Sequence, residues 1–64
     1  MAATLPKGSP DVEVTFTVDG GAPITEPVEA GGASHAYAFK APGTYRVLVF
    51  SAHHGSTMAE VLVQ

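Results

Sequence analysis

The sequence predicts an all-β sandwich, and three observations carry that prediction. From Asp11 to Val18 the residue types alternate: Val12, Val14, Phe16 and Val18 point one way, and Glu13, Thr15 and Thr17 the other. Turn signals at Asp19-Gly20-Gly21-Ala22-Pro23, Gly31-Gly32, Pro42-Gly43 and Gly55-Ser56 cut the chain into short runs. No run carries the 3.6-residue apolar period of a helix. Five short strands separated by such turns need a second layer to bury their apolar faces, which is the sandwich solution.

The elements follow in order. Residues 1–10 contain Pro6, Gly8, Ser9 and Pro10 and only one large apolar residue besides Met1, namely Leu5. This composition predicts an extended N-terminal arm, ordered by an external surface rather than by the core, with Leu5, Pro6 and Lys7 as attachment candidates. Residues 11–64 form the β domain. After its first strand, Ile24 to Ala30 reads as a weaker strand with Ile24, Val28 and Ala30 on one face. Pro27 lacks a ladder donor and places that strand at an edge or a bulge. A third run sets His35, Tyr37 and Phe39 on one face opposite Ala36 and Ala38. In the fourth, Tyr45, Val47 and Val49 face inward against Arg46, Leu48 and Phe50. After a loop at Ser51 to Thr57, the last strand turns Ala59, Val61 and Val63 inward and Met58, Glu60, Leu62 and Gln64 outward.

The stretch Ala41-Pro42-Gly43-Thr44-Tyr45-Arg46-Val47-Leu48-Val49-Phe50 is the most specific in the chain. Pro42 presets φ for a turn, Gly43 accepts a positive φ, and a β-branched and aromatic run follows at once. With Ser34-His35-Ala36-Tyr37-Ala38-Phe39 before it and Ala59-Glu60-Val61-Leu62-Val63 after it, this resembles the second half of a PKD-type, immunoglobulin-like domain, with its H-x-Y, P-G-x-Y-x-V and V-x-V runs. The likeness spans residues 34–63. The first half departs from it, because the W-x-F-G-D-G signature is missing and the chain has no tryptophan. The resemblance implies an immunoglobulin-like/PKD-like antiparallel sandwich in which Pro42, Gly43 and Tyr45 are structural. Tyr45 would be a tyrosine corner on the penultimate strand, its hydroxyl bonded back to nearby backbone.

Composition narrows the functional classes. A chain of 64 residues makes one domain and buries only about 60% of the surface its unfolded form exposes. It has no cysteine, so neither a disulfide nor a thiolate metal site can reinforce the core, and homo-oligomerisation or attachment to a larger body is the remaining device. Three basic residues against six acidic ones give a net charge of −3. That balance lacks the clustered basic residues of a nucleic-acid binder. No segment approaches the ~20 apolar residues that span a bilayer. The N-terminus has neither a basic start nor an apolar stretch of signal-peptide length, so a native Met1 implies synthesis in a cytoplasm, whereas a non-native one leaves a secreted parent open.

Catalytic and cofactor motifs are missing from the sequence: there is no Gly-x-Ser-x-Gly, no phosphate-cradling glycine loop with its lysine, and no His-Glu-x-x-His. No catalytic residue, cofactor or metal is assigned, and the chain is expected not to be an enzyme. His53-His54, with His35 as a third ligand, is the one metal-like grouping. Neighbouring residues of an extended segment point to opposite sides, so a solvated hairpin loop is the expectation there. Asp11 and Asp19 do not make a calcium loop. Glu26 and Glu29 read as charges that protect an edge strand.

The expected partner is a protein. Leu48, Phe50 and Leu62 lie on the outward faces of the last two strands, which are neighbours in such sandwiches, and would form one exposed apolar patch. Three functions fit. The first is a virion protein that decorates a bacteriophage capsid, made in the host cytoplasm and displayed on the virion surface, as small immunoglobulin-like auxiliary head proteins are. The second is an adhesion or spacer module of a larger, extracellular protein. The third is a small cytoplasmic binding protein.

Overall fold

A computed structural model describes residues 1–64. It is all-β, with six strands in two antiparallel sheets compatible with a small sandwich: β1 (Ala2–Thr4), β2 (Glu13–Val18), β3 (Ile24–Pro27), β4 (Gly32–Ser34), β5 (Gly43–Ser51) and β6 (Gly55–Val63). The larger sheet runs β3-β2-β5-β6 and the smaller pairs β1 with β4. The alternation of β2 and β5 buries Val14, Phe16, Val18 and Val47, and Ala33 of the small sheet closes over them. Phe16 and Val14 are the largest side chains sealed completely.

The edge expectation for β3 holds. It is four residues long, ends at Pro27 and lies at the margin of its sheet. The Asp-Gly turn before it is tight, with positive φ at Asp19 (49°) and Gly20 (72°) and a bond from Gly21 N–H to Val18 O at 2.9 Å. A second tight turn, at Ala30 and Gly31, then passes the chain to the other sheet, with Glu29 and Gly32 bonded across it. Ala30 therefore stands in a turn at φ 52° and is exposed, not on a strand face with Ile24 and Val28.

The N-terminal arm is corrected by the structure. Residues 2–4 form β1, in register with β4 through Ala2↔Ser34, Ala3↔Ala33 and Thr4↔Gly32. The ladder is extended at both ends: Leu5 N–H donates to Gly31 O at 2.9 Å, His35 N–H to Met1 O at 2.8 Å, and the terminal ammonium to His35 O at 2.7 Å. Met1, Ala3 and Leu5 turn toward the core, an alternation of period two too short to stand out in the sequence. Gly32 is fixed by this pairing, because a Cβ there would stand 2.7 Å from the carbonyl oxygen of Ala3.

Two further expectations change. Beyond His35, which ends the β1–β4 ladder, the run to Phe39 forms no strand; instead Phe39 bridges Tyr37 and Tyr45, with ring centroids 4.8 and 4.7 Å away. Val12, expected inside, is 77% exposed, while Asp11 is buried. The alternation slips by one residue at the mouth of β2 because the Asp11 carboxylate turns in to meet the β5–β6 turn.

Tyr45 sits on β5 partly buried, and its hydroxyl donates to the carbonyl of Ala41, four residues upstream. Gly43 opens the strand at φ 150°, a value an L side chain rarely adopts. On β6, Val61 and Val63 are half-buried as expected. Ala59 and every other residue from Gly55 to Glu60 is exposed, since the two-stranded sheet does not extend over them.

Candidate functional site

The β5–β6 register decides which outward residues meet. Leu48 stands directly opposite Met58, Arg46 opposite Glu60, Thr44 opposite Leu62 and Phe50 opposite Ser56. On its other side β5 sets Leu48 beside Thr17 and Phe50 beside Thr15 of β2. The result is an apolar cluster of Leu48, Phe50 and Met58 with a rim of threonines. Phe50 is 47% and Met58 56% exposed, while Leu48 is half-buried between them.

Leu62, 66% exposed, does not join this cluster. The Arg46–Glu60 row stands between, with Arg46 Nε 3.9 Å from Glu60 Oε2. Met58 takes the place expected for Leu62. Alternation had put Met58 on the correct face, but only the pairing register shows that it abuts Leu48.

The N-terminal candidates are placed elsewhere. Leu5 packs against the core, and Pro6 and Lys7 are exposed beyond it. Residues 2–6 form one wall of a cleft of about 340 Å³ whose other wall includes Val49, His54 and Thr57. Leu5 is thereby part of the domain, and only Pro6 and Lys7 remain on a surface open to a partner.

A polar cluster ties the strand β2 entrance to the β5–β6 turn. The Asp11 side chain is 1% exposed, and its Oδ1 accepts from the His53 backbone N–H at 3.0 Å and from His53 Nδ1. Its Oδ2 is buried without a hydrogen-bond partner, 3.6 Å from His54 Nε2. Burial acts to raise the Asp11 pKa. The hydrogen bonds and charge of His53, with a contribution from neighbouring Ser51, outweigh it and hold the carboxyl below its ordinary value. His53-His54 is thus not merely a solvated loop: on a tight turn, closed by His54 N–H to Ser51 O at 3.3 Å, both rings reach one carboxylate.

The same cluster holds Ser9, whose Oγ lies 2.9 Å from His54 Nε2. A serine, a histidine and an aspartate are present, but a proton relay needs serine and carboxylate on opposite ring nitrogens. Here both approach Nε2. The arrangement fastens a loop and does not activate a nucleophile. No group of three or more His, Cys, Asp or Glu side chains is disposed to hold a metal ion. His35 pairs through Nδ1 with Glu26 Oε2 on the inner side of the edge strand β3, while Glu29 lies beyond that strand and is exposed.

Comparison with protein-family models, curated proteins and solved structures finds no match. The functional reading therefore stands on the exposed sheet face and the sequence motifs alone.

Proposed function

We propose that this chain is a non-enzymatic structural protein that docks the outer face of its large sheet onto a protein surface, and that its partner is a symmetric assembly such as a bacteriophage capsid, which it decorates on the virion surface. The observation that carries the docking face is the apolar cluster of exposed Phe50 and Met58 with half-buried Leu48 between them, mounted on the two longest strands. Apolar side chains held out on a rigid ladder are pre-organised for a partner, so little ordering entropy opposes binding.

The capsid form of the proposal rests on the likeness of residues 34–63 to PKD-type domains and on the thin core. Only seven of 64 residues are buried. A domain with so small a margin gains stability by mass action when bound, and a repeated lattice multiplies weak contacts. Co-sedimentation with empty phage capsids tests it, comparing the wild-type chain with the double variant Phe50→Thr/Met58→Thr. Threonine keeps strand propensity, so the variant is expected to melt as the wild type does and to lose capsid binding. A variant that binds capsids as well as the wild type overturns the docking face, and a wild-type chain that never sediments with them overturns the capsid reading.

A further inference from the structure

The open edge of β6 is the second feature the fold leaves without a partner; it borders the outer face and shares Met58 with it. Arg46 turns both backbone groups toward Asp19, its N–H donating to Oδ1 at 2.8 Å and its carbonyl accepting from the Asp19 N–H at 2.8 Å. Backbone direction alternates along a strand, so Tyr45, Val47 and Val49 turn theirs to β6, where Val61, Ala59 and Thr57 stand opposite. The N–H and C=O groups of Ser56, Met58, Glu60 and Leu62 are thereby left on the free margin of the sheet. That margin is nine residues long and contains no proline and no lysine. Its one charge, Glu60, already faces Arg46.

We infer that β6 is the seam of a two-fold homodimer, in which it pairs antiparallel with β6 of a second copy and joins the two large sheets into one of eight strands. Complementarity fixes the axis. A two-fold at Glu60 sets like charges face to face, which is destabilising. A two-fold at Met58 leaves Leu62 opposite the turn. A two-fold at Ala59, the midpoint of Gly55–Val63, overlaps all nine residues. It sets Met58 opposite Glu60 of the second copy and Ser56 opposite Leu62, each twice. Across the seam, Leu62 of one copy reaches the row of Phe50 and Ser56 of the other, an approach that the Arg46–Glu60 row denies it within one chain.

A second copy is the occupant because it matches the strand in length and closes the assembly. Isologous pairing consumes the open edge of both copies. The ends of the eight-stranded sheet are then two β3 strands, each only four residues long and carrying Pro27. Growth stops at two chains. The gain also falls where the monomer is weakest, since Gly55 to Glu60 are all exposed and the chain has no disulfide to stabilise it.

Sedimentation equilibrium of the full chain, free of any capsid, together with amide hydrogen exchange, tests the dimer. The expected mass is twice the 6.5 kDa of one chain. The Met58 and Glu60 amides are expected to exchange more slowly as protein concentration rises. Met58→Glu places a second carboxylate opposite Glu60 on both sides of the axis and is expected to weaken the dimer about tenfold or more, while Met58→Lys, opposite the same Glu60, binds at least as tightly as the wild type. A chain that stays monomeric at millimolar concentration, Met58 and Glu60 amides that exchange freely at every concentration, or a dimer indifferent to both substitutions overturns the inference. Exchange is read on the unsubstituted chain, so a variant that fails to fold does not shield the proposal.

Discussion

The two margins of the large sheet are built on opposite principles. At one, β3 is four residues long, stops at Pro27, and hands the chain by a tight turn to β4, whose ladder with β1 folds back over the core. At the other, β6 runs nine residues with no proline, an all-exposed first two-thirds and one charge. A protected margin is what a sheet needs where pairing is unwanted, and an unprotected one of this length is normally a liability. The chain spends its first 34 residues closing one side of its core and leaves the other side open. The difference leaves an open edge and an exposed apolar face together on the β5–β6 side of the molecule, the side to which both proposals assign association.

Removing the protected side should have the largest effect. Deletion of residues 1–5 takes away β1, orphans the exposed ladder groups of β4 and strips Met1, Ala3 and Leu5 from the core. Leu5 alone accounts for about 1.5–3 kcal/mol of burial at full enclosure, and a domain of this size has a total margin of roughly 5 kcal/mol. The truncated chain is expected to lose its cooperative thermal transition by circular dichroism. A melting temperature within a few degrees of the intact chain would restore the free-arm expectation and show that β1 contributes nothing to closure.

The next effect concerns the segment that connects β4 to β5. Tyr45 packs on Phe39 and anchors the turn before β5 through Ala41 O. Tyr45→Ala is expected to destabilise by about 3 kcal/mol, and Tyr45→Phe, which loses one hydrogen bond only, by about 1 kcal/mol. Urea midpoints measure the gap. Equal values for both variants would mean that the hydroxyl carries the whole effect and the ring packs to no advantage.

These expectations mark how much was legible in the sequence. Alternation revealed β2 and β5, because each has one buried face and a period of two over six residues or more, and it revealed the end of β6, where only Val61 and Val63 are half-buried. Pro27 revealed the β3 edge. The three-residue strands β1 and β4 gave no such signal: they exist through pairing with each other, and Gly32, read as a break, is the residue that lets the two backbones approach. On the binding face, alternation set Met58, Leu48 and Phe50 outward, but the gap before Leu62 depends on which residues stand opposite, and register is a tertiary property. Asp11 was hidden for a different reason. A carboxylate at the end of an alternating run reads as solvated until the turn that needs it, 42 residues later, is folded beside it.

That long-range tie should respond to acid. The folded pKa of Asp11 lies below its ordinary value of 3.8, so the folded state holds its charged form preferentially. Its contribution to stability is complete above the unfolded pKa and is lost as pH falls through the folded one. Unfolding midpoints are therefore expected to be flat in this respect near neutrality and to drop below pH ~4. Asp11→Asn removes the charge, lowers the midpoint at pH ~7 and flattens the acid response. An acid response unchanged by Asp11→Asn would assign it to the other carboxylates.

The smallest effect on stability is expected from Pro27→Val, and it bears most directly on the contrast between the margins. Pro27 is exposed at the end of an edge strand and offers no N–H to the outside. Valine suits an extended backbone and restores that donor, so the monomer's unfolding free energy, read from urea titration, should change by no more than about 0.5 kcal/mol. Its association should change nonetheless. With β3 opened, each copy presents a second strand edge, and a two-fold pair joined at β6 acquires sticky ends where it had blunt ones. Light scattering across a concentration series should show species larger than a dimer for Pro27→Val and none for the wild type. Equal scattering from both chains would show that the four-residue length of β3, and not its proline, is what protects this margin. The double change Pro27→Val with Met58→Glu separates the two edges, since chains blocked at β6 and opened at β3 can pair only through the margin the native sequence keeps closed.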